Sequence, residues 1–170
     1  MLKSMLRGWI WLIILGIACG VQAAQDAPAA NPHYLIQADT VYDKKTDLTW
    51  QRCSVGQRWT EGTGCVGVIK TFTFEDAQRQ GNEMWRVPTK NELGTLIDQK
   101  RKTQGQPPTI DVDAFPGMDL KKLVYWTSTT DKADGVSLAW DVNFLVGDSK
   151  YYDFRSFTNA VRLVHSGQNK

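Results

Sequence analysis

The sequence is poor in the residues that most often carry chemistry. It holds two histidines in 170 residues, His33 in a polar stretch near the start and His165 close to the end. A zinc site or a Ser/His/Asp centre needs an imidazole beside a second ligand or a nucleophile, and neither position offers one. No H-E-x-x-H, P-loop or kinase-type string occurs. Charge of one sign is lacking too: 20 Lys and Arg stand against 18 Asp and Glu. A polyanion-binding protein shows a basic excess or stripe, so nucleic acid is not expected as a partner. There is no tandem repeat, no low-complexity tract and no apolar run long enough to span a bilayer, which takes about 20 residues. What is present is ordinary for a folded domain, 42% hydrophobic and 22% charged, except for seven tryptophans.

The longest apolar run, Trp9 to Cys19, follows Lys3 and Arg7 and precedes Val21-Gln22-Ala23. Basic n-region, short apolar core and small residues before a break are the marks of a secretory leader, so residues 1–23 are expected to be a signal peptide cleaved after Ala23. A lipoprotein leader centred on Cys19 fits less well, because Gly16 stands where a leucine-like residue is needed. The expected product is exported, periplasmic or secreted to the surface, with no membrane span. Loss of Lys3 and Arg7 lowers the 20 basic residues to 18, equal to the 18 acidic ones. Loss of Cys19 leaves Cys53 and Cys65. In an oxidising compartment these two are expected to form a disulfide, whose closed loop is worth about 3 kcal/mol.

Residues 24–33 read as an Ala-, Pro- and Gln-rich flexible spacer, 34–165 as the globular domain and 166–170 as a tail. Val41-Tyr42 and Leu48-Thr49-Trp50 flank a polar turn and predict a hairpin. Two helices are expected. One starts at Thr73 as N-cap and stops at Gly81 as C-cap; the other starts at Thr89, which forms a capping box with Glu92, and carries Leu93, Leu96 and Ile97 on one face. The rest is β-like: Val124–Thr129, Val136–Leu145 with Leu138, Trp140, Val142 and Phe144 inward, Tyr151–Phe154, and Ala160–Val164. Early helices and late strands indicate an α+β fold.

Gly62-Thr63-Gly64-Cys65-Val66-Gly67 matches the dinucleotide-binding string, but a β-prone segment follows it where a helix is required. No cofactor is expected. Asp111 with Asp113, Asp131 with Asp134, and Asp141 with Asn143 are weak candidates for calcium oxygens. The favoured reading has Asp131 and Asp134 at a turn, and Asp141 and Asn143 on the solvent side of an alternating strand.

Leu48-Thr49-Trp50-Gln51-Arg52-Cys53, Cys65, Trp85-Arg86-Val87-Pro88-Thr89-Lys90-Asn91-Glu92-Leu93, Phe115-Pro116, Tyr125-Trp126-Thr127-Ser128-Thr129, Trp140-Asp141-Val142-Asn143-Phe144 and Val161-Arg162-Leu163-Val164 resemble, in order, the Lcl C-terminal domain family of bacteria. The resemblance implies a C-type-lectin-like fold with its first and last strands paired, two flanking helices and a long loop region. It also implies binding, because the adhesin that names the family carries such a domain on a collagen-like stalk and binds sulfated glycosaminoglycans; the Gly-X-Y repeat of that stalk is missing here. The Trp-Arg-Val-Pro-Thr stretch is also similar to sulfatase-modifying enzymes, whose C-terminal cysteine pair has no counterpart after Cys65.

In the shared motifs, Trp85, Trp126 and Trp140 are expected to pack in or near the core, and Arg86 and Arg162 to pair with carboxylates or carbonyls. The expected function is non-enzymatic recognition of a glycan or of an envelope or surface protein. The candidate contact residues are Lys100, Arg101 and Lys102 for charge and Tyr125 and Trp126 for stacking, in loops between Gln99 and Asp134. A structural accessory subunit of an envelope or pilus-like assembly is the alternative.

Overall fold

A computed structural model describes residues 31–130, 138–149 and 152–168. The expected leader, most of the spacer, and the Asp131 and Asp134 turn lie outside the described residues.

The chain begins with β1 (Tyr34–Gln37), β2 (Thr40–Asp43) and β3 (Leu48–Gln51). Thr40 pairs with Gln51 and Asp43 with Leu48, which is the hairpin expected around the polar turn. A second hairpin, β4 (Gln57–Thr60) and β5 (Gly64–Gly67), carries the glycine string. Gly62, Gly64 and Gly67 all take positive φ, at 74°, 88° and 109°, so the string shapes a hairpin and not a phosphate loop.

After β6 (Thr71–Phe72) come three helices of five residues each: α1 (Phe74–Gln78), α2 (Lys90–Gly94) and α3 (Gln99–Thr103). Thr73 caps α1 and the Thr89–Glu92 capping box opens α2. Both helices are shorter than expected. α1 ends at a right-handed Arg79 and not at Gly81, while Leu96 and Ile97 follow α2 instead of continuing it. The third helix is a correction to the expectation of two. Asp98 caps it by accepting the N–H groups of Lys100 and Arg101, and none of its residues is buried.

The remaining strands are β7 (Val124–Thr130), β8 (Leu138–Asn143), β9 (Tyr152–Phe154), β10 (Asn159–Ala160) and β11 (Val164–Ser166). They complete two sheets, β1-β2-β3-β11 and β6-β10-β7-β8-β9. Among the described residues, all strand pairings are antiparallel except β10 with β7. The fold is therefore α+β with mainly antiparallel sheets. The first and last strands do not pair: β11 joins β3, leaving β1 and β11 on opposite edges of one sheet.

The five-stranded sheet has a core on each face, which follows from alternation along β7. Tyr125 and Val142 point to one side, where Val41, Trp50, Leu93, Phe115, Phe144 and Val164 gather. Trp126 and Ala139 point to the other, against Phe74, Ala77, Val87, Val161 and Leu163. β8 is thus buried on both faces over part of its length, and its expected alternation holds only for Val142 and the following Phe144. Leu138 and Trp140 are half-buried at the uncovered end, whereas Ala139 and Asp141 are the sealed positions.

Cys53 and Cys65 form the expected disulfide, with Cα atoms 5.4 Å apart. It ties the β4–β5 hairpin to the end of β3. Arg162, wholly buried, binds the same region from the other side: its guanidinium donates to the carbonyls of Gln51 and Arg52 and to Ser54 Oγ. Two main-chain carbonyls and a hydroxyl thus satisfy its terminal NH₂ groups, while the buried Nε has no hydrogen-bond partner.

Candidate functional site

The Trp85-Arg86-Val87-Pro88-Thr89 segment builds a cleft. Arg86 exchanges both main-chain hydrogen bonds with Val164, at 2.9 and 3.0 Å, and so fastens the segment to the last strand. The Ser128 N–H donates to Pro88 O at 2.7 Å and the Lys90 N–H to Thr129 Oγ1 at 3.0 Å, which fixes the start of α2 against β7. Arg86 and Glu92 form a two-pronged ion pair, at 2.8 and 2.7 Å. This bond holds the Glu92 carboxyl below its ordinary range and the Arg86 guanidinium above its own. Gly81 lets the chain fold back on itself, since a Cβ there would stand 2.6 Å from the Trp85 carbonyl oxygen. The result is an open cleft of about 570 Å³ between Asn82, Trp85 and Ser128, within the range of roughly 300–1,000 Å³ common for small-ligand sites.

A second feature lies at the far edge of the five-stranded sheet. Leu138 pairs with Phe154 and Trp140 with Tyr152, so these four side chains stand on one face. Tyr152, Phe154 and neighbouring Phe157 are 50%, 52% and 53% exposed. Trp140 meets Tyr152 edge-on at 5.4 Å, Phe154 meets Phe157 at 5.6 Å, and the Lys90 ammonium sits 3.5 Å over the Trp140 ring. Three large aromatic side chains thus lie half-exposed close together at one sheet edge.

The residues expected to touch a ligand are not brought together. Tyr125 and Trp126 are both 0% exposed and are corrected to core residues. Tyr125 Oη lies 2.7 Å from Ser54 Oγ, and Trp126 Nε1 donates to Phe72 O at 2.7 Å. Alternation along β7 buries both because each face of the sheet has its own core. Lys100, Arg101 and Lys102 form most of α3. Arg101 uses Nε on Pro108 O, and the adjacent depression is lined by Asp98, Asp111 and Asp113 as well as Lys100 and Arg101. The run therefore sits in mixed charge.

The calcium candidates separate as well. Asp141 is buried at 1% exposure, not solvent-facing, and neither carboxylate oxygen has a hydrogen-bond partner. Burial, with the nearby Asp153 carboxylate, pushes its pKa up to about 7. Asn143 Oδ1 accepts from the Leu145 N–H, and Asp111 Oδ1 accepts from two backbone N–H groups. Among the described residues, no three His, Cys, Asp or Glu converge where they could hold a metal ion. Trp59, in the disulfide hairpin, is half-buried beneath Arg52 at 4.0 Å.

Sequence reasoning missed the aromatic face and the polar side of the cleft. Tyr152-x-Phe154 with Phe157 was the available signal, since aromatics two apart on a short strand share a face. The cleft is assembled from segments far apart in sequence and left no local mark beyond the Trp-Arg-Val-Pro-Thr stretch itself.

No curated protein matches the chain. The Lcl C-terminal domain matches residues 39–165, from just before β2 into β11, and the chain belongs to the Lcl C-terminal domain family.

Proposed function

We propose that this is an exported, non-enzymatic binding domain of C-type-lectin-like architecture that recognises a glycan or a protein at the bacterial cell envelope or surface. The observation that carries the reading is the exposed aromatic group of Tyr152, Phe154 and Phe157 beside the half-buried Trp140. Large apolar rings left in water cost free energy that contact with a partner recovers. Export is supported by the disulfide, a crosslink that persists in oxidising compartments, and by the leader-like start. Among the described residues no helix is long and apolar enough to cross a membrane. The lectin-like architecture is supported by the sharing of one sheet between the N-terminal strands and β11.

The test is a glycan array with purified residues 24–170, run with calcium and with chelator, alongside co-purification from envelope extracts. Changing Phe154 and Phe157 together to Ser is expected to abolish retention of the partner while shifting stability by no more than about 0.5 kcal/mol, as at exposed sites generally. Unchanged retention would overturn the role of this face. A second reading, an accessory subunit of an envelope assembly, is favoured by the two phenylalanines, which have no polar handle for sugar hydroxyls, and by the position of β9 at the sheet edge. One co-purifying envelope protein with a silent array would select it.

A further inference from the structure

The cleft at Trp85 is separate from the aromatic face and has a different chemistry. Its two side-chain charges, Arg86 and Glu92, are bound to each other through both guanidinium NH₂ groups, and Glu92 also accepts from the N–H and hydroxyl of Thr89. The pair neutralises both charges, so the cleft offers no net positive charge to hold a carboxylate or sulfate.

The unused hydrogen-bonding groups can be read from the used ones. Asn82 Oδ1 accepts from the N–H groups of Met84 and Trp85, both at 2.9 Å, which fixes the amide orientation and leaves Nδ2 as a spare donor. Gln78 Nε2 donates to Thr127 O at 3.2 Å, which leaves Oε1 as a spare acceptor. The exposed Ser128 hydroxyl makes no hydrogen bond among the described residues and can do either. These three groups border a half-buried indole that is braced edge-on by His165 at 4.6 Å. A spare donor, a spare acceptor and a hydroxyl around an aromatic surface, with no net charge, match a ring that has one apolar C–H face and a rim of hydroxyls. The polarised C–H groups of such a face pack on the electron-rich ring, and the hydroxyls, each donor and acceptor, fit the mixed rim.

We propose that this cleft is a binding site for one uncharged pyranose ring of a glycan, packed on Trp85 and hydrogen-bonded by Asn82, Gln78 and Ser128. Asn82 and Ser128 are exposed at the mouth, so a sugar chain can leave the cleft and the site takes a terminal or branch residue.

The test is saturation-transfer NMR on the exported protein with a panel of neutral methyl glycosides, followed by titration while observing the Trp85 indole N–H, assigned by its loss in Trp85→Phe. At least one neutral glycoside is expected to shift that signal, with an affinity insensitive to salt. Asn82→Asp keeps the oxygen that holds the loop and removes the spare donor; Ser128→Ala removes the hydroxyl. Each is expected to weaken binding about two- to tenfold, as for one hydrogen bond, and Ser128→Tyr to abolish it by filling the mouth, with melting temperatures confirming that the variants fold. Silence across the neutral panel, indifference to Ser128→Tyr, or binding only of sulfated glycans that weakens with salt would each overturn the proposal. The Phe154 and Phe157 double variant is expected to keep glycoside binding, so failure at the cleft and failure of the aromatic face are distinguishable.

Discussion

Asp141 stands in the middle of β8 with its carboxylate sealed from water and neither oxygen hydrogen-bonded. Such a group resists ionisation, and its pKa rises from 3.8 to about 7. The direction of the pH effect follows. Below about pH 4 the side chain is protonated in both folded and unfolded chains and makes no pH-dependent contribution. Between 4 and 7 the unfolded chain releases the proton while the folded protein retains it, so stability falls as pH rises. Above 7 both states are ionised and the loss levels off, on the order of 4 kcal/mol at most. Asp141→Asn is therefore expected to gain stability over the native protein as pH rises from 4 to 7, with little difference near pH 4. Urea unfolding at a series of pH values measures this; a gain that did not depend on pH would show that the native carboxyl does not titrate in this window. Nothing local in Trp140-Asp141-Val142 announces this burial. The motif alternates like a half-exposed strand, and only the core on the far face of the sheet, built from Phe74, Trp126 and Val161, turns Asp141 inside.

The elements are short, and their ends are better determined than their middles. Helices of five residues are far below the length that is stable alone in water, so caps and packing hold α1, α2 and α3 in place. In α2 the Thr89 hydroxyl accepts from the Glu92 N–H while Glu92 accepts from the Thr89 N–H. Thr89→Ala is expected to cost about 1 kcal/mol, the usual worth of an N-cap. Glu92→Ala should cost more, because it also leaves Arg86 without its partner. Chemical denaturation compares the two; an equal loss would mean that the ion pair adds nothing to the box. Both N-caps were legible because a cap is a relation among four consecutive residues. The C-terminal limits were not, since Leu96 is apolar and buried but leaves the helix to pack under the loop that carries Ile110. α3 was missed because it has no apolar face to give it a period.

At the scale of the molecule, two small cores share one five-stranded sheet, and the disulfide closes a hairpin that contributes little to either. With its two cysteines 12 positions apart, the bridge is expected to supply about 3 kcal/mol through the unfolded chain. Replacing Cys53 and Cys65 together by Ser should lower stability by that amount, and added reductant should then leave the variant unaffected while lowering the melting temperature of the native protein. Equal melting temperatures for native protein and variant without reductant would show that the bridge adds no stability. Arg162 keeps the same region anchored from within through the carbonyls of Gln51 and Arg52. The hairpin, the cleft and the aromatic face are thus carried by one scaffold but depend on different contacts.

The sequence alone determined the family, the α+β class, the bridge between Cys53 and Cys65, the β2–β3 hairpin and the starts of α1 and α2. Each of these is written in neighbouring residues or in an ordered set of motifs, and needs no knowledge of what lies across the fold. The tertiary structure decided which aromatics meet water. Tyr125 and Trp126 go inward because each face of their sheet is covered, while Tyr152 and Phe154, on the edge strand β9, remain at the surface and Trp140 is half-buried beneath Lys90. Burial is a property of what packs on top of a strand, and that covering comes from parts of the chain far away in sequence.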